Sequence, residues 1–189
     1  EPAKCLTSGK SMPKDRVLNL YEKGFAIGKS AKQAILIAES VPGGTTTAQA
    51  VMEAFGFNVS NLVGSSLFKA PRELKREVIQ SGLLNANLKN GFDSFDVISS
   101  LGDPFQAFSM GLLIGARLAN QPVVLSGGSQ MVAVVLLALE FLDSKNKKDF
   151  IERIFIATTR WLVNDNSLND LLNLINDKHQ VSLTGLASP

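Results

Sequence analysis

Twice along this chain a short apolar run meets paired glycines and opens into a helix. The first run is Ile35-Leu36-Ile37-Ala38-Glu39-Ser40-Val41-Pro42-Gly43-Gly44-Thr45-Thr46-Thr47. The second is Pro122-Val123-Val124-Leu125-Ser126-Gly127-Gly128-Ser129-Gln130. A buried strand that feeds a helix through a tight turn is the repeating unit of a parallel sheet. The turn also presents backbone N–H groups and the positive end of a helix to an anion, most often a phosphate. Glu39 falls at the carboxyl end of its strand, where open α/β sheets place their ligands. If both turns face the same edge, they can share one ligand, with phosphate at one and a ring or ribose at the other. The plainer alternative at each is a tight strand-to-helix turn with a hydroxyl N-cap. The first turn lacks the lysine of a P-loop and the glycine spacing of a dinucleotide fold, so neither fingerprint applies.

The rest of the chain keeps the alternation. Helices are expected from Pro13 to Gly28, with Val17, Leu20, Tyr21 and Phe25 on one face, and over 45–55, with Gly56 as the stop. Another is expected over 72–83, closed by Gly82 or Asn85, and further ones over 92–100, 105–118, from Ser129 to about Leu142, and 167–175. Gly111 and Gly115 suggest close packing of their helix against a neighbour. Strands are expected over 33–38, 122–125, 151–158 and 181–183, with one more around Leu62-Val63. Residues 58–68 read as a loop and 143–149 as a charged surface loop. This pattern predicts an α/β fold, a three-layer α/β/α arrangement around a mainly parallel, Rossmann-like sheet. Residues 1–189 are expected to form a single α/β domain.

Composition narrows the function. Hydrophobic residues are 45% of the 189 and charged residues 19%, enough for a sizeable core. The net charge of +2 gives no argument for nucleic acid. The most apolar run, Val132 to Leu139, is too short for the roughly 20 residues of a bilayer span, so no membrane partner is expected. The single cysteine, Cys5, forms no internal disulfide and no metal-site spacing, and points to a reducing, cytoplasmic setting. No metal and no cofactor is expected.

Several side chains could carry chemistry and each has a simpler reading. Asp103, before Pro104, reads as an N-cap, as do Asp93 and Asp96. Lys75 lies among Arg72 and Arg76 and reads as part of a solvated face, or else as a point charge for phosphate. His179, in a polar segment, reads as exposed. Trp161 and Tyr21 read as packing residues, and Cys5 has no neighbour in sequence that would activate it. With a histidine triad, a zinc site and a nucleophile elbow set aside, a carboxylate and a phosphate cradle remain. Phosphoribosyl transfer fits that set: the protein positions two partners and removes one proton.

Glu39-Ser40-Val41-Pro42-Gly43-Gly44-Thr45-Thr46-Thr47-Ala48, Leu101-Gly102-Asp103-Pro104 and Ser126-Gly127-Gly128-Ser129-Gln130-Met131 follow in order. This set resembles the nicotinate-nucleotide:dimethylbenzimidazole phosphoribosyltransferase family, in a poorly characterised branch, over about residues 12–138. The resemblance implies transfer of phosphoribose from nicotinate mononucleotide to a benzimidazole-type base. The product would be α-ribazole phosphate for the cobalamin lower ligand, and the protein a homodimer. It implies that Glu39 lies beside the nucleotide as the catalytic carboxylate. Gly43, Gly44, Thr45 and Thr46 would bind phosphate, with Lys75 nearby. Gly127, Gly128 and Ser129 would form a second wall. The better-known branch has glutamate-methionine-glycine where this chain has Glu39-Ser40-Val41, and an asparagine at Gly44. Its general base, a glutamate in a glycine-rich segment near the carboxyl end, has no match after Ser167. The expectation is therefore a chain incomplete at both ends. The alternative is a nucleotide-binding or regulatory homologue without transferase activity.

Overall fold

The computed structural model describes residues 1–63, 71–159 and 167–188. Trp161 and part of the 58–68 loop lie outside the described residues. A short 3-10 turn, Leu6–Ser8, leads into α1 (Lys14–Ser30), β1 (Ile35–Ala38), α2 (Gly44–Ala54), α3 (Arg72–Ala86), α4 (Ser94–Leu101) and α5 (Pro104–Leu118). Then come β2 (Val123–Ser126), α6 (Ser129–Phe141), a 3-10 turn (Ser144–Asn146), α7 (Lys147–Ile151), β3 (Ile154–Thr159), α8 (Ser167–His179) and β4 (Thr184–Ser188). No described helix is long and apolar enough to cross a membrane.

The four strands are parallel and lie in the order β1-β2-β3-β4. Their register puts Ile37, Leu125 and Ile156 in one row, all buried, and Leu36, Val124 and Phe155 in the next. Side chains alternate between faces along a strand, so the first row marks the core face. α6 covers the core. Every residue from Met131 to Leu139 is fully buried, and a helix apolar all round belongs inside. α2, α4, α5 and α8 pack around it. Each aliphatic side chain buried there stabilises the fold by roughly 1.5–3 kcal/mol.

The α/β fold with a parallel sheet is as expected. The other face of the sheet carries Leu36, 67% exposed, and Leu186, 49% exposed.

Boundaries differ in ways that packing explains. Gly28 does not end α1; the helix runs to Ser30, and Gly28 meets the backbone of α5 at Leu112. Gly82 does not end α3 either. It is buried against the Leu6 turn, and the left-handed Asn87 caps the helix. Leu62 and Val63 are not a strand, because their N–H groups turn back to the Val59 carbonyl. The 143–149 segment is not an open loop; it holds a 3-10 turn and α7, anchored by buried Phe150 and Ile151. The last strand begins at Thr184, with Val181 and Leu183 buried just before it.

His179 is not exposed: its side chain is 5% accessible. Nδ1 lies 3.1 Å from the Lys147 ammonium and Nε2 lies 3.4 Å from Glu140. Burial alone would raise the Glu140 carboxyl, but His179, Lys178 and Lys147 outweigh it and hold it below the usual range. Tyr21 packs as expected, edge-on to Phe95 and beside Phe25. Cys5 is exposed, and a hydrogen bond with Thr7 lowers its thiol pKa, a local influence the sequence did not suggest.

Candidate functional site

Because β1 and β2 are parallel neighbours, the chain leaves both at the same edge of the sheet. Their two glycine turns open on one cleft of about 790 Å³, lined from Glu39 through Thr46 and by Gly128, Ser129 and Gln130. α3 closes one side with Leu74, Lys75 and Val78, and Leu62, Pro71, Ser167 and Leu168 complete the lining.

In the first turn, Glu39 is half-buried and its Oε2 accepts the Val41 N–H at 2.5 Å. That bond folds the chain back on itself directly after β1. Gly43 then takes φ +74°, a left-handed value that favours glycine. The first amides of a helix have no partner one turn back. Here the Gly44 and Thr46 N–H groups are taken by the Val41 and Gly43 carbonyls. Among the described residues, the Thr45 N–H is not drawn into these turn bonds. Gly44 does not have a positive φ; a Cβ there would meet Gln130 Nε2 at 2.8 Å, which the flexible amide can relieve by shifting, and Val41 Cβ at 3.2 Å. Gln130 thus joins the two turns, a contact that reading each turn separately does not reveal.

The second turn contributes less than expected. The Gly127 N–H is spent on the Ala157 carbonyl at 2.8 Å, holding β2 to β3, and Gly127 does not line the cleft. Gly128 and Ser129 do line it, and Ser129 is 8% exposed at the start of α6. Glu39 is the only acidic side chain, and Lys75 the only basic one, among the described lining residues. Lys75 Nζ is buried with no hydrogen-bond partner among the described residues. Burial pushes its pKa down to about 8, against the attraction of Glu53. An ammonium without a hydrogen-bond partner, in a cleft that two helix starts also line, suits an anion.

Asp103 caps α5 as expected, in a reciprocal box with Gln106. It also does something its sequence context hides: its Oδ2 accepts the Thr47 hydroxyl at 2.6 Å. Asp93 and Asp96 form the matching box on α4. Lys14 pairs with Asp96 at 2.5 Å, which lowers the Asp96 pKa.

A family model described as phosphoribosyltransferase matches residues 1–145. The chain belongs to this phosphoribosyltransferase family. The chain is 80% identical over 188 residues to a UPF0284 protein of Prochlorococcus marinus (strain MIT 9312), covering all of this chain and 49% of that protein. It spans about half the length of the curated relatives it matches. Among solved structures it superposes on a nicotinate-nucleotide-dimethylbenzimidazole phosphoribosyltransferase from Thermus thermophilus. The TM-score is 0.67 at 18% identity, over 97% of this chain and 52% of that one. A CobT structure from the same organism gives 0.64 at 20%, over 96% and 52%. At these identities the likeness is one of fold. The chain keeps that fold's sheet and helices over roughly half of such a molecule.

Proposed function

We propose that this chain forms the nucleotide-binding part of an enzyme that moves phosphoribose from nicotinate mononucleotide to a benzimidazole-type base. The observation that carries the reading is the shared cleft: two glycine turns, at the carboxyl ends of adjacent parallel strands, and in the same lining a lysine without a hydrogen-bond partner. The nucleotide phosphate sits at the Gly43-Gly44-Thr45-Thr46 turn, and Lys75 supplies the counter-charge. Gly128 and Ser129 hold the ribose side. In the transfer, the bond from the anomeric carbon to nicotinate breaks and its electron pair leaves with the pyridine nitrogen. The lone-pair nitrogen of the benzimidazole forms the new bond, and the proton on its other ring nitrogen passes to solvent. Positive charge grows on the sugar between these events, and Glu39, the one carboxylate of the cleft, stabilises it. The apolar wall of Leu62, Leu74, Val78 and Leu168 keeps water from the reacting carbon.

The test incubates the full encoded protein with nicotinate mononucleotide and 5,6-dimethylbenzimidazole and follows nicotinate by chromatography. Release that depends on the base is the expected result. No release with any of several benzimidazoles, although the nucleotide binds, would leave a nucleotide-binding homologue without transfer.

A further inference from the structure

Resting on the phosphate-site reading above, we propose that Asp103 is a positioning residue that acts through Thr47 to hold the first glycine turn in the shape that receives phosphate. Asp103 is 6% exposed. One carboxylate oxygen suffices for its cap: Oδ1 accepts the Gln106 N–H at 3.0 Å, and Gln106 Oε1 accepts the Asp103 N–H at 3.2 Å. The second oxygen reaches across to Thr47, 56 residues earlier, in the first turn of α2. Capping α5 does not require that contact.

The Thr47 hydroxyl has a second neighbour. Its Oγ1 lies 3.1 Å from the Gly44 carbonyl, so one proton faces two acceptors. When Asp103 is ionised, the proton goes to the carboxylate at 2.6 Å. When Asp103 is protonated, the carboxyl donates to Thr47 and Thr47 donates to Gly44, and the chain of bonds is complete. Burial pushes the Asp103 carboxyl up, and the bonds from Thr47, Gln106 and Phe105 only partly offset this. In either state the turn is tied to α5 as well as to β1.

The turn needs such a tie. Pro42 and Gly43 are exposed, and Gly43 has the greatest backbone freedom of any residue type. Amides that receive an anion must be held within about 0.5 Å of their working positions. The Thr47 bond is the side-chain link between the first turn of α2 and a buried group on another helix.

The experiment measures binding of nicotinate mononucleotide and of 5,6-dimethylbenzimidazole to the full encoded protein by calorimetry. Thr47→Val should weaken the nucleotide about tenfold, the worth of one hydrogen bond, and leave the base unchanged. Thr47→Ser and Asp103→Asn should restore wild-type affinity, because the hydroxyl returns in one and an amide donor replaces the carboxyl in the other. Should Thr47→Val not fold, Asp103→Ser keeps a cap oxygen but is too short to reach Thr47, and the same outcomes apply to it. Unchanged nucleotide affinity overturns the proposal. So does an equal loss for the base, or a Thr47→Ser protein as weak as Thr47→Val. If the wild-type protein binds neither the nucleotide nor inorganic phosphate, the phosphate-site reading itself fails and takes this one with it.

Discussion

Lys75 shows how one residue can be ambiguous in sequence and informative in structure. Its neighbours Arg72, Glu73, Arg76 and Glu77 are all exposed, and the run Leu74-Lys75-Arg76-Glu77 does not say which charge turns inward. The helix leans so that Lys75 enters the cleft and loses water without gaining a partner. Its ordinary pKa of 10.5 falls to about 8 in the fold. Below pH 8 the side chain is charged in both folded and unfolded chains, and the folded state bears the full desolvation cost. Between pH 8 and 10.5 only the unfolded chain keeps the proton, so this group's contribution to stability improves as pH rises through that window. On the proposed reading, a phosphate bound beside Lys75 would restore the charge. Nucleotide binding near pH 8.5 should therefore take up protons, seen as a dependence of the calorimetric heat on buffer ionisation. Lys75→Met should abolish that dependence and weaken binding by about tenfold or more. It should leave the unliganded melting temperature at pH 7 equal or higher. A fall in melting temperature with unchanged binding would return Lys75 to a structural role.

At the scale of elements, the pairing of α1 with α5 rests on glycine. Gly24 and Gly28 on α1 face Gly111 and Gly115 on α5, and a Cβ at Gly111 would run into the Tyr21 carbonyl. Likewise a Cβ at Gly24 would run into the Phe108 carbonyl. The two backbones touch, so neither helix can accept a methyl without parting. Gly111→Ala should cost about 1–3 kcal/mol through overpacking. Helix propensity alone would give a gain of about 1 kcal/mol, so the sign of the change in denaturant unfolding decides between them. The sequence showed half of this seam. Gly111 and Gly115 stood inside an apolar run and read as contacts, whereas Gly28 stood near a polar end and read as a stop. A glycine that ends a helix and one that admits a neighbour look alike until the partner is known. The i, i+4 spacing shared by both pairs was the available signal. The glycine turns and the caps at Asp93 and Asp103 were legible because each is set by local chemistry. Residues 143–149 and His179 were not, because Phe150, Ile151, Lys147 and Glu140 reach them from elsewhere in the fold.

For the molecule as a whole, the open question is the second face of the sheet. Parallel sheets are found covered on both faces, yet Leu36 and Leu186 stand largely exposed on one of them. Sequence alternation predicts a parallel sheet among helices but does not say which helix covers which face. That exposed face bears Leu36, Val124 and Phe155 in one row and Ala157 and Leu186 in the next, a set too apolar for a surface without purpose. The curated relatives are about twice as long as this chain, and that length is enough to form a cover. In the full encoded protein Leu36→Asp should then destabilise by about 2 kcal/mol or more, because a charge would enter an apolar contact. Leu84→Asp, on α3 at 80% exposure, should change stability by less than about 0.5 kcal/mol. The measurement is the urea midpoint at constant slope for both variants. Equal, small shifts would mean that Leu36 faces water in the whole protein too. In that case the sheet works as a support open on one face, and the cleft at its edge depends only on the helices already described.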